Sequence, residues 1–143
     1  MTLEDKKLLI TDLCARLPYG IKCHVHDFPS PYTLSGIIPS KVYQELYFEE
    51  MDYKECNGLI NIKYSKPYLF PLSSMTEEQK NEFNTKSLEL QLKVIDDEIM
   101  YEEATQFEVD FYNKHHLDWR GLIEKGLALD ASNLNIYNND TGR

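Results

Sequence analysis

Basic residues, cysteines and long apolar runs are all scarce in this chain. Its 15 lysines and arginines face 24 aspartates and glutamates, for a formal net charge of −9. A surface of that sign repels phosphate backbones and anionic bilayers, so direct nucleic-acid binding is disfavoured. The three cysteines, Cys14, Cys23 and Cys56, are odd in number and scattered. They do not form a disulfide framework, and they fit a reducing cytosol. No apolar run approaches the roughly 20 residues that a spanning helix needs. The N-terminus, Met1-Thr2-Leu3-Glu4-Asp5, is acidic and lacks the apolar core of a secretory leader. The expectation is a cytoplasmic protein with no membrane association. A Gly-rich phosphate loop, a nucleophile elbow, a Cys-x-x-Cys pair and a His-Glu-x-x-His run are also missing. No cofactor is expected.

What is present suffices for one folded domain. A chain of 143 residues with 42% hydrophobic side chains can bury a core without staples. The charge is uneven. Residues 1–72 carry 8 bases and 9 acids, whereas residues 73–143 carry 7 and 15. Seven acids and no base fall between Asp96 and Asp110. A run of this kind is ordinarily a solvated helix face, with imitation of nucleic acid the minor alternative.

Taken in order, Thr2 to Leu17 reads as an amphipathic helix, opened by a Thr2/Asp5 capping box and stopped by Pro18. Leu9, Leu13 and Arg16/Leu17 stand at helical spacing, and Ile10 and Cys14 widen the stripe. Strands follow at Ile21–His26 and at Tyr32–Ile38, where Gly36 marks a bulge. Two more are expected at Val42–Met51 and Leu59–Tyr64, separated by a turn over 52–58. Their spacing favours an antiparallel meander, with an SH3-like barrel as one form it could take. Thr76 and Gln79 make a second capping box, predicting a helix over about 76–84.

Residues 88–95 fit two patterns. Leu88, Leu90, Leu92 and Val94 alternate as in a strand, while Leu88, Leu92 and Ile95 suit a helix. The alternation favours a strand. A turn at 96–98, a helix from Tyr101 to His115 and a short helix capped by Asp118 and ended at Gly126 complete the reading. The fold class is α+β: an N-terminal helix, a small antiparallel sheet, and C-terminal helices packed on it. Residues 1–130 form the domain, and 131–143 a polar, mobile tail with only Leu134, Ile136 and Tyr137 to dock.

Candidate chemistry is concentrated at His115-His116-Leu117-Asp118-Trp119-Arg120. His115 or His116 could act as an acid–base group oriented by Asp118, and Arg120 could grip an anion. Adjacent residues on a helix diverge by about 100°, so the two rings cannot face one point. The competing structural reading has Asp118 as a cap and Arg120 paired with an acid, and it is favoured because caps are common and complete sites rare. His24 and His26 share one strand face, a spacing two metal ligands can use. Asp27 is their only local companion, so the ligand set is incomplete.

Three segments, Asp12–Gly20, Lys66–Glu78 and His115–Leu129, resemble an uncharacterised family of small proteins from gut Bacteroidales and their phages and mobile elements. The resemblance rests on "LPYG", "KPYL-P-SSMTEE" and "HH-D-RGLI-KGLAL" motifs in that order. It implies a phage or bacterial cytoplasm, and carries no catalytic residue. The leading functional expectation is a non-enzymatic module of a phage or mobile element that binds a protein partner. A small enzyme or anionic-ligand binder built on 115–120 is the alternative, and a homo-oligomeric structural protein is a third.

Overall fold

The computed structural model describes residues 1–29, 31–39, 44–51 and 60–137. Within them the chain forms three α-helices, α1 (Leu3–Arg16), α2 (Glu77–Ile95) and α3 (Tyr101–Lys114). It also forms six strands, β1 (Lys22–Val25), β2 (Tyr32–Pro39), β3 (Gln44–Phe48), β4 (Ile60–Asn61), β5 (Ser65–Leu69) and β6 (Leu129–Asp130). The sheet order is β4-β3-β2-β1-β5-β6, antiparallel except for the β5–β6 pair. The fold is thus α+β, with an N-terminal helix, a mostly antiparallel sheet and two later helices. No pairing among the described residues joins β4 to β6, so the sheet is not seen to close into an SH3-like barrel. No described helix is long and apolar enough to cross a membrane.

Local chemistry explains most of the element boundaries. Thr2 and Asp5 close the expected capping box on α1, and Gly20 takes a left-handed turn (φ 71°) after the 3₁₀ turn at Leu17–Tyr19. The bulge falls where Gly36 predicts it, the register shifting between Leu34/Phe48 and Gly36/Tyr47. Of the two later expected strands, β3 lies inside Val42–Met51, although Val42 itself is outside the described residues. Likewise Leu59 and the turn at 52–58 lie outside them. The strand expected through Tyr64 stops at Asn61, because the Asn61 side chain accepts from the Lys63 amide and starts a 3₁₀ turn.

The strand expected over 88–95 is a helix. The Thr76/Gln79 capping box starts α2, and nothing interrupts it before Asp96. Leu90 and Val94 lie on a partly buried side of α2, whereas Leu88, Leu92 and Ile95 are exposed. Two apolar stripes on one helix produce an alternating sequence. Asp97 then takes a left-handed conformation (φ 58°), and the Glu98 and Asp97 amides donate to Lys93 O and Val94 O. This is a Schellman closure with aspartate where glycine is usual.

One core cluster draws on the whole chain. It joins Leu9 and Leu13 of α1 to Ile21, Cys23 and Val25, to Leu69 and Phe70, and to Leu117, Leu122, Ala131 and Tyr137. Cys14, expected in the apolar stripe, is exposed, and the polar Asp12 is buried in its place. The core also runs past the expected domain end at 130. The Tyr137 hydroxyl accepts from the Lys22 amide (2.9 Å) and donates to Tyr68 O (2.8 Å), which fixes residues 131–137 onto β1 and β5.

Candidate functional site

The segment after α3 begins with a second Schellman closure. Leu117 N–H donates to Tyr112 O and His116 N–H to Asn113 O, with His116 in the left-handed region (φ 56°). The chain then runs parallel to Phe70, just past β5: Phe70 N–H donates to His116 O, and Asp118 N–H to Phe70 O, each at 2.8 Å. The short helix expected here is a single turn. Leu122 and Ile123 amides donate to the two Asp118 carboxylate oxygens at 2.8 and 2.9 Å. Gly126 (φ 75°) ends the turn, with Leu127 N–H on Leu122 O and Gly126 N–H on Ile123 O. Asp118 and Gly126 therefore serve as cap and terminator, and the chain enters β6 at Leu129 before another helical turn can form.

The two histidines separate as the divergence argument requires. His115 lies against Phe111, ring centroids 4.5 Å apart, with Gln79 Nε2 3.4 Å from its Nδ1. His116 stacks on Tyr137 at 4.0 Å and 19°. Its Nδ1 is buried without a hydrogen-bond partner among the described residues. Burial, with Arg16 adding repulsion, pulls the His116 imidazole down to about 3. It is therefore neutral at physiological pH, not poised for proton transfer there.

Arg120 is not an open anion clamp. Its Nη1 donates to Asp12 Oδ1 at 2.6 Å, and its guanidinium lies 4.0 Å over the Trp119 ring. Asp12 simultaneously accepts from Arg16 Nε at 2.9 Å, and Arg16 Nη2 donates to Leu117 O at 2.6 Å. An aspartate between two arginines thus ties α1 to the 115–120 segment. Desolvation lowers the Arg16 pKa, against the opposing pull of Asp12. The favoured structural reading of this segment accounts for its hydrogen bonds. Sequence inspection set Arg16 on the Leu9/Leu13 stripe of α1 but missed Asp12, its i−4 neighbour, as an interior group.

His24 and His26 do lie on one face of the sheet, beside a concavity of about 440 Å³. Its other lining residues are Lys63, Tyr64, Lys66 and Leu129. Asp27 reaches only as far as 3.5 Å from His26 Nε2. No group of three or more His, Cys, Asp or Glu side chains among the described residues is placed to hold a metal. The two ammonium groups also repel a cation.

The α2–α3 hairpin borders two further concavities. One, of about 630 Å³, has three acids (Glu82, Glu103, Asp110) facing three bases (Lys86, Lys93, Lys114) around Leu90 and Phe107. The opposite groove, about 370 Å³, is lined by Val94, Ile95, Tyr101 and Ala104, and Glu108 is its only charged side chain. Phe83, Phe107, Phe111 and Tyr112 cluster where the two helices meet, with paired centroids 5.2 to 5.9 Å apart. No protein-family model, curated protein or solved structure matches the chain.

Proposed function

We propose that this protein is a non-enzymatic interaction module whose docking element is the α2–α3 hairpin. The observation that carries the reading is an apolar ridge left uncovered there. Leu88, Leu92 and Ile95 are 60, 53 and 74% exposed, and they fall within about 60° of one another around α2 at 100° per residue. Tyr101, 71% exposed at the start of α3, shares the adjoining groove with Ile95. Scattered exposed apolar residues are ordinary, but a contiguous set with a groove beside it marks a binding surface.

Charge narrows the partner. Asp96, Asp97, Glu98, Glu102 and Glu103 follow or flank the ridge in sequence, all within the base-free run, whereas Glu89 is already paired with Lys86 and Lys93. A partner helix with an apolar face and flanking lysines or arginines complements this surface in both respects. Two-fold pairing of the hairpin with its own copy would set acids against acids, which disfavours a homo-oligomer formed through this face. The likeness of the three motifs to small proteins of gut Bacteroidales and their mobile elements supports a bacterial cytoplasm as the setting. The alternative based on His115, His116, Asp118 and Arg120 loses its support, since capping, stacking and pairing with Asp12 engage those groups.

Affinity capture from the native host tests the proposal. The wild type should return a stoichiometric basic partner, and a folded Leu88→Ser/Leu92→Ser/Ile95→Ser variant should not. Recovery of the protein alone at several expression levels, or equal capture by the variant, contradicts the reading.

A further inference from the structure

The concavity at His24 and His26 gathers positive charge on a strongly acidic protein. On neighbouring strands β1 and β5, His24 stands directly opposite Lys66. The His26 amide continues the pairing by donating to Tyr64 O at 2.9 Å, and the two rings stack at 6.3 Å and 17°. Lys63 Nζ lies 5.0 Å from the Tyr64 ring centroid. Two lysines and two histidines therefore border one space of about 440 Å³, with Tyr64 and Leu129 as its remaining lining.

Among the described residues, nearby charges do not neutralise this cluster. Asp27, 82% exposed, meets only His26, and at 3.5 Å. Asp130, next to Leu129, is held by the Ser132 amide (2.8 Å) and hydroxyl. Lys22 shares the outward side of β1, but its ammonium donates to Thr33 Oγ1 at 3.1 Å. A histidine and a lysine set directly across a strand pair repel once the imidazole is charged. An anion between them turns that repulsion into attraction. Lysine binds phosphate as a point charge, and a protonated imidazole adds a second donor. The volume falls within the range of small-molecule sites and leaves room for a carrier about the size of a sugar.

We propose that this concavity binds the phosphate group of a small phosphomonoester through Lys63, Lys66, His24 and His26. Metal binding, the alternative suggested by the His24/His26 spacing, is opposed by the same two lysines.

NMR titration of the full chain at constant pH and ionic strength provides the test, using inorganic phosphate, sulfate and acetate. Phosphate should give saturable shifts at His24, His26, Lys63 and Lys66, at least tenfold tighter than acetate. Sulfate, a tetrahedral dianion like phosphate, should compete with phosphate for the same four residues. Lys63 and Lys66 are exposed, so Lys63→Gln/Lys66→Gln should lower phosphate affinity at least tenfold and leave thermal unfolding unchanged. Non-saturable shifts, equal acetate affinity or full binding by the double variant would overturn the site. Tighter binding of a phosphoserine peptide than of glucose 6-phosphate would overturn the small-molecule assignment.

Discussion

Replacing Asp12 by alanine strands two guanidinium groups. Asp12 and Arg16 have side chains 0% exposed, and Arg120 is 12% exposed. The carboxylate accepts from Arg16 Nε at 2.9 Å and from Arg120 Nη1 at 2.6 Å. Removing one partner of a buried pair costs about 3–5 kcal/mol, because the remaining charge stays desolvated and unpaired. Arg16 retains its bond to Leu117 O, and Arg120 can turn toward water, so a value of about 4 kcal/mol is expected. With a urea m-value of about 2 kcal/mol/M, the unfolding midpoint falls by about 2 M. Asp12→Asn keeps the shape and one acceptor, and should lose less. A cycle with Arg120→Met should show a coupling of about 1–3 kcal/mol. The assay is urea unfolding followed by circular dichroism. A loss below about 1 kcal/mol for Asp12→Ala would refute the claim that this triad joins α1 to the C-terminal segment.

Acid should destabilise the protein through His116. Its folded-state value, about 3, lies below the ordinary imidazole value of 6.5. Between these values the unfolded chain binds the extra proton, so stability falls as pH drops from about 6.5 toward 3, by up to about 4 kcal/mol. His116→Phe should flatten that part of the pH profile in thermal melts, and an unchanged slope would count against it. Tyr137→Phe leaves the Lys22 amide and Tyr68 carbonyl short of a partner, for a loss of about 1–3 kcal/mol and faster hydrogen exchange at Lys22. Asp97→Gly relieves a left-handed position and should stabilise by about 1 kcal/mol in urea unfolding.

The legible parts of this fold were those set by local chemistry. The Thr2/Asp5 and Thr76/Gln79 boxes, the Gly36 bulge, the Asp118 cap and the Gly126 turn each involve residues within a few positions of one another. The length of α2 was obscured because Leu90 and Val94 serve α3 while Leu88 and Leu92 face solvent, and together they imitate a strand. Pro67 hid β5, since a proline demotes a strand pattern, and β6 pairs with it only beyond that proline, at Tyr68 and Leu69.

The structural role of 115–120 was the favoured reading, but its partners were hidden by distance along the chain. Arg120 finds Asp12 from 108 positions away, and the Tyr137 hydroxyl reaches Tyr68 across 69. Neither pairing leaves a periodic trace. The lysines that change the character of the His24/His26 face likewise come from another strand and turn.

A photo-cross-linking amino acid placed at Leu92, on the exposed ridge of α2, provides the most direct test of the interaction module. The control carries the same group at Leu134, which is 46% exposed and outside the hairpin. In the native host, position 92 should yield one dominant adduct with a basic protein, and position 134 should not. Absence of any adduct at 92, or the same adduct from both positions, would contradict docking through the hairpin.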